Sequence, residues 1–171
     1  MNGEAGDSDR RGFNDASAGE GGRLLLEVVT PTRTVLRRRV ESVLVPALDG
    51  YLGILAGHAP LVAGLAPGVL YYGRRHEKKQ RLAVSGGFVE VAQNRVLVLA
   101  DAAELPEEID VARAQAALAR AEERLRRAGE QVDVVRAELA MRRALARLRA
   151  VYGDRALDRV TYVPGEERLA E

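Results

Sequence analysis

Between Arg23 and about Glu104, short apolar runs are broken every few residues by turn-forming side chains. The runs LLLEVVT, TVLRRRV, SVLVPAL, GVLYYG, RLAVSGGFVEV and RVLVLAD are rich in Val, Leu and Thr, and Gly, Pro, Asn and Asp punctuate them. Phe88, Glu90 and Ala92 fall on one face of an extended chain, and Val89 and Val91 on the other. Gln93-Asn94 separates two strand-like runs and suits a two-residue hairpin turn. Many short strands with regular turns and no helical period between them predict an antiparallel β-sandwich over 23–105.

At Leu105 the period changes from two to that of a helix. Pro106 suits a first helical position, with Glu107, Glu108 and Asp110 loading the first turn. The stretch to Ala128 is dominated by Ala, Arg, Glu and Leu, and Gly129 supplies a stop. A second helix is expected from about Glu130 to Tyr152, ended by Gly153. Val134, Met141, Leu145, Leu148 and Tyr152 draw an apolar stripe along it. So short a connection makes the pair, 106–152, an antiparallel hairpin. The class is α+β, an N-terminal sandwich followed by a C-terminal helical hairpin.

The ends differ from both. Residues 1–22 hold six Gly and many acidic and small polar residues, with Phe13 as the one large apolar residue after Met1. Such a segment buries too little to offset its ordering entropy and is expected to be a disordered extension. Residues 153–171 carry mixed charges and one apolar cluster, Val160 to Val163, and suggest no role.

Composition narrows the chemistry. Apolar residues make up 47% of the 171 and charged residues 30%, with a net charge of +1. That balance is no electrostatic glove for nucleic acid. The absence of Cys removes disulfides, thiol catalysis and cysteine-held metals, and two His make a multi-His metal site improbable. No window approaches the ~20 apolar residues of a membrane-spanning helix, and no secretory leader is visible. The protein is therefore expected to stay where it is made and to meet a membrane only through partners. No phosphate loop, nucleophile elbow or zinc-protease motif is present. His58 in GHAP suits a hydrogen-bonded loop residue better than a general base. Catalysis by this chain alone is not expected.

The arginines of the hairpin form rows. Arg113, Arg120, Arg124 and Arg127 are spaced by seven, four and three, and Arg136, Arg143 and Arg147 by seven and four, one face on each helix. Guanidinium forks on two such faces suit a polyphosphate or an acidic helix. The bland alternative is a solvated face with i,i+4 pairs such as Glu123 with Arg127 and Glu138 with Arg142. Spacing alone leaves both open.

Four marks in order over Leu24 to Val151 resemble the epsilon subunit of bacterial F-type ATP synthases: VVTPTRTV, DGYLGILAGHAPLVAGLAPGVL, VSGGFVEVAQNRVLVLADAAE and EEIDVARA. The resemblance implies a non-catalytic rotor subunit at the cytoplasmic face of the bacterial plasma membrane, coupling proton flow to ATP synthesis. Its sandwich would bind the gamma subunit and rest on the c-ring, with Tyr51 and His58 as c-ring contacts. Tyr51 stands where an acidic residue is common, and Ala56 where Pro is usual. The hairpin would regulate ATP hydrolysis, permitting rotation when folded and inhibiting when extended toward an acidic segment of the beta subunit. No cofactor is required, but regulatory ATP is implied by Ile109-Asp110-Val111-Ala112-Arg113-Ala114, which matches [IL]DxxRA. By similarity, Glu104, Ile109, Asp110, Arg113, Arg120, Arg136, Arg143 and Arg147 would surround that nucleotide.

Two other readings compete with it. One is a free-standing ATP-sensing module. The other is an interaction protein whose arginine hairpin grips an acidic partner or RNA. The second lacks aromatic stacking platforms for RNA before Tyr152.

Overall fold

The computed structural model describes residues 22–127 and 133–153. The expected extension before Gly22, the stop at Gly129 and the tail from Asp154 lie outside the described residues.

Eight strands form one sheet: β1 (Leu24–Val29), β2 (Thr34–Val40), β3 (Ser42–Ala47), β4 (Gly50–Leu55), β5 (Leu61–Gly73), β6 (Gln80–Ala92), β7 (Arg95–Ala100) and β8 (Ala103–Glu104). The order across it is β2-β1-β7-β6-β5-β3-β4, with β8 beside β6. Leu24, Leu26 and Val28 of β1 share one core with Val43 and Val45 of β3 and Ile54 of β4, near the sheet's other edge. The sheet must therefore fold over on itself, which makes it a sandwich. Its core has no buried polar or charged residue among the described ones.

Alternation reports its faces faithfully. Val89 is 0% exposed while its neighbour Phe88 is 60% exposed. Gln93 and Asn94 both have positive φ, 49° and 58°, between the paired residues Ala92 and Arg95. That is the mirror-image turn matching strand twist.

Three features depart from expectation. Neighbouring strands run antiparallel except β1 and β7, which are parallel, Leu25 to Val29 against Arg95 to Leu99. Period-two alternation tells which face a residue occupies, not which strand lies beside it. The segment YLGIL, outside the strand-like runs read from the sequence, lies in β4, which pairs with β3 from Ser42↔Leu55 to Ala47↔Gly50. Gly50 and Gly53 of β4 hide a strand whose anchor is the fully buried Ile54. Third, β5 runs thirteen residues straight through Pro67. Its pairing with β3 is interrupted between Leu44 and Ala47, where Pro46 also sits, so the missing ladder donors fall at an irregularity.

The helices begin later than composition suggests. Pro106–Glu108 form a separate 3₁₀ turn, and α1 spans Val111–Arg126. Asp110 is the N-cap of α1 and not part of its first turn; its Oδ1 accepts the Arg113 N–H at 2.9 Å. Helix α2 spans Val134–Tyr152, capped by Asp133, whose Oδ1 accepts the Arg136 N–H at 2.9 Å, and closed by Gly153 at φ 84°.

The apolar stripe expected on α2 is only partly its packing face. Val134 and Tyr152 are exposed, and the buried residues are Ala137, Ala144, Ala146, Leu148 and Ala150. Alanine signals poorly in a hydrophobic pattern, yet it permits the closest approach of a helix. Ala144 and Leu148 meet Ala114 and Leu118 of α1. On the opposite side, Ala146 and Ala150 meet Val69, Ala83 and Ile109. Helix α2 is thus layered between α1 and the sheet. Leu82, Ala83 and Val84 are consecutively buried because β6 is covered on both faces there.

Candidate functional site

The hairpin arginines follow a rule that the buried seam makes visible. Arg113, Arg120, Arg136, Arg143 and Arg147 each immediately precede a seam residue: Ala114, Ala121, Ala137, Ala144 and Leu148. Each row is therefore turned by the same ~100° from the interhelical contact. Two antiparallel helices are related by a two-fold axis normal to their common plane, so equal offsets project to the same side. Five guanidinium groups thus line one side of the hairpin.

Their environments differ. Arg147 is the most enclosed, its side chain 28% exposed, and its Nε donates to Glu104 Oε2 at 2.5 Å. Glu104 ends β8, so this pair bridges sandwich and hairpin. Arg143, one turn before Arg147, is half-buried, and Arg113 and Arg120 are exposed. None of those three has a carboxylate partner among the described residues. Arg136 is exposed, with Asp133 at 3.7 Å. On α1, Arg126 and Arg127 both bind Glu123, so that end is locally neutralised.

The remaining residues expected around a nucleotide are placed unequally. Asp110 is exposed at the head of α1, one carboxylate oxygen engaged as cap. Ile109 is 8% exposed and packs between sheet and α2, so it braces the site and offers little surface to a ligand. The arrangement fits a polyanion: unpaired guanidinium groups flank the Glu104–Arg147 pair, and an incoming phosphate would compete for Arg147.

Tyr51 and His58 are not neighbours in one site. Tyr51, in β4, packs against Tyr71 with ring centroids 6.1 Å apart, beside a cleft that also involves Gly68, Arg142, Leu145 and Arg149. His58 follows β4 in the exposed loop to β5; its N–H donates to Leu55 O, and its Nδ1 lies 2.9 Å from Ala59 O. Sequence reasoning missed Leu48, Val62, Phe88 and Leu99, exposed by 50–72% on the sandwich surface. Their hydrophobicity within alternating strands was the available signal, because the outward positions should have been polar.

Comparison with known proteins agrees with this two-part build. Residues 23–106 match the ATP synthase delta/epsilon chain β-sandwich domain, and 107–151 match its long α-helix domain. The chain belongs to the ATP synthase delta/epsilon chain family. As a member it is a subunit of that complex and not itself catalytic. Among its relatives is the ATP synthase epsilon chain of Symbiobacterium thermophilum, 57% identical over 59% of this chain and 73% of that one. Another, from Moorella thermoacetica, is 51% identical over 60% of this chain and 77% of that one. A chain in the Euglena gracilis mitochondrial ATP synthase OSCP/F1/c-ring structure superposes with a TM-score of 0.64. It is 27% identical, with 84% of this chain and 89% of that chain covered. Among the described residues, no helix of this family member is long and apolar enough to cross a membrane.

Proposed function

We propose that this chain is the epsilon subunit of a central stalk, an adaptor whose sandwich docks on gamma and the c-ring and whose hairpin regulates ATP hydrolysis. In a bacterium this places it at the cytoplasmic face of the membrane. The observation that carries the regulatory part is the way α2 is held. Its sheet contact centres on Ala146 and Ala150, seated on Val69, Ala83 and Ile109, with Tyr71 and Val151 packed against them. Each alanine contributes a single methyl to that seat, on the order of 0.8 kcal/mol per buried carbon, so a competing interaction can offset it. A released hairpin would present its arginine side to an acidic segment of beta. Folded, the same side faces a polyanion such as ATP.

Deletion from Asp110 onward, assayed in the reconstituted catalytic head, tests the regulatory part. Faster ATP hydrolysis is expected. Unchanged hydrolysis leaves the adaptor role and removes the regulatory one.

A further inference from the structure

The face that β5 and β6 turn toward α2 contains one side chain that apolar packing does not explain. Val69 is paired across the strands with Ala83, and Tyr71 with Arg81. Val69, Tyr71 and Ala83 join the cluster that seats Ala146 and Ala150. Arg81 stands among them as a cation on a docking surface.

The end of α2 accounts for it. Gly153 terminates the helix at φ 84°, its N–H donating to Arg149 O at 2.8 Å. The Arg81 guanidinium lies where a Cβ on Gly153 would be, with Nη1 2.4 Å from that position. Its Nη2 donates to Val151 O at 3.4 Å. The last carbonyls of a helix carry its partial negative charge and lack intrahelical donors, so a cation there is favourable. Here it comes from the sandwich. The left-handed backbone favours a glycine at 153, and the missing side chain leaves room for the guanidinium.

We propose that Arg81 is a latch: a C-terminal cap for α2 supplied by the sandwich, which stabilises the hairpin only while it is docked. An interaction present in one of two positions shifts the balance between them, whereas the intrahelical bonds of α2 persist in both. The Glu104–Arg147 pair is a second link, but a polyanion can compete for its arginine. The Arg81 cap lies outside the arginine row and acts about one turn further along, at the C-terminus of α2.

Hydrogen exchange on the full chain tests the latch. Arg81→Met keeps the aliphatic stem and removes the charge. It is expected to speed exchange of the α2 amides about three- to tenfold relative to β1 and β7. Arg81→Lys keeps the cation and holds exchange within about twofold of the parent. Gly153→Ala displaces the guanidinium and adds backbone strain, so it speeds exchange at least as much as Arg81→Met, and the double variant shows less than the product of the two effects. The proposal is overturned by unchanged α2 exchange, by equal acceleration in β1 and β7, by Lys behaving as Met, or by fully multiplicative singles. The consequence for hydrolysis rests on the two-position reading above. If exchange in Arg81→Met rises while hydrolysis by the reconstituted head stays constant, the latch stands and that reading falls. Unchanged exchange removes the latch and leaves the deletion result untouched.

Discussion

At the scale of single residues, glycine sets the tightest constraint where β6 crosses β7. Gly86 and Gly87 both have φ 118°, and a Cβ on Gly87 would lie 2.1 Å from Leu99 O and 2.9 Å from Ala100 Cα. Those neighbours are backbone atoms of a paired strand and cannot turn aside. Gly87→Ala is therefore expected to cost at least about 3 kcal/mol, combining a disfavoured backbone with a clash. Gly22, with nothing within 4 Å of its Cβ position, supplies the control. Gly22→Ala should stay within about 0.5 kcal/mol. Urea unfolding of both variants measures the difference, and a mild Gly87→Ala would show that the strands separate there easily.

At the scale of elements, the short 3₁₀ turn between sandwich and hairpin is tied down from two directions. Glu108 Oε2 accepts the Leu105 N–H at 2.9 Å and Arg33 Nη2 at 2.7 Å, the latter from the β1–β2 turn. The backbone bond first and the guanidinium second hold its carboxyl below the ordinary glutamate range. A carboxylate whose folded pKa is depressed contributes stability above its unfolded value. That contribution is lost as pH falls through the folded one. The stability gap between the parent and Glu108→Gln should thus be full near neutrality and close as the pH drops below about 4.5. Thermal melts between pH 3 and 7 follow it, and a gap independent of pH would assign the effect to shape and not charge.

Elements also show what could be read in advance. Strands with strict alternation, such as the one carrying Val89 and Val91, and the Gln93-Asn94 turn were legible because each residue reports its own local geometry. Strand β4 was not, since Gly50 and Gly53 carry no side chain to mark a face. Nor was the α2 surface, because alanine reads as neutral in a pattern that weights Leu and Met. The arginine rows were legible as rows, but that all five share one side needed the buried seam. The cap role of Arg81 was invisible, depending on Gly153, seventy-two residues further along the chain.

At the scale of the whole molecule, the proposed regulatory reading links ATP binding to the position of the hairpin. A millimolar dissociation constant corresponds to about −4 kcal/mol. Tenfold excess ligand over that constant shifts the docked state by about 1.4 kcal/mol, enough to bias two positions without locking one. Isothermal titration of the parent with ATP should show such binding, and Arg143→Ala should weaken it clearly. No heat from the parent, or equal affinity in both, would exclude the arginine side as the nucleotide site.

The parallel contact of β1 with β7 has a consequence for how the chain is made. A ribosome delivers β1 some seventy residues before the strand that completes it, so the nascent sandwich waits with an open edge beside β1 until residue 100 has emerged. The helical hairpin, built from near neighbours, can coil within moments of its own synthesis. Biogenesis would then reverse the order of the map: the last-made part forms quickly, and the first-made part closes late, its edge open to other chains in the meantime.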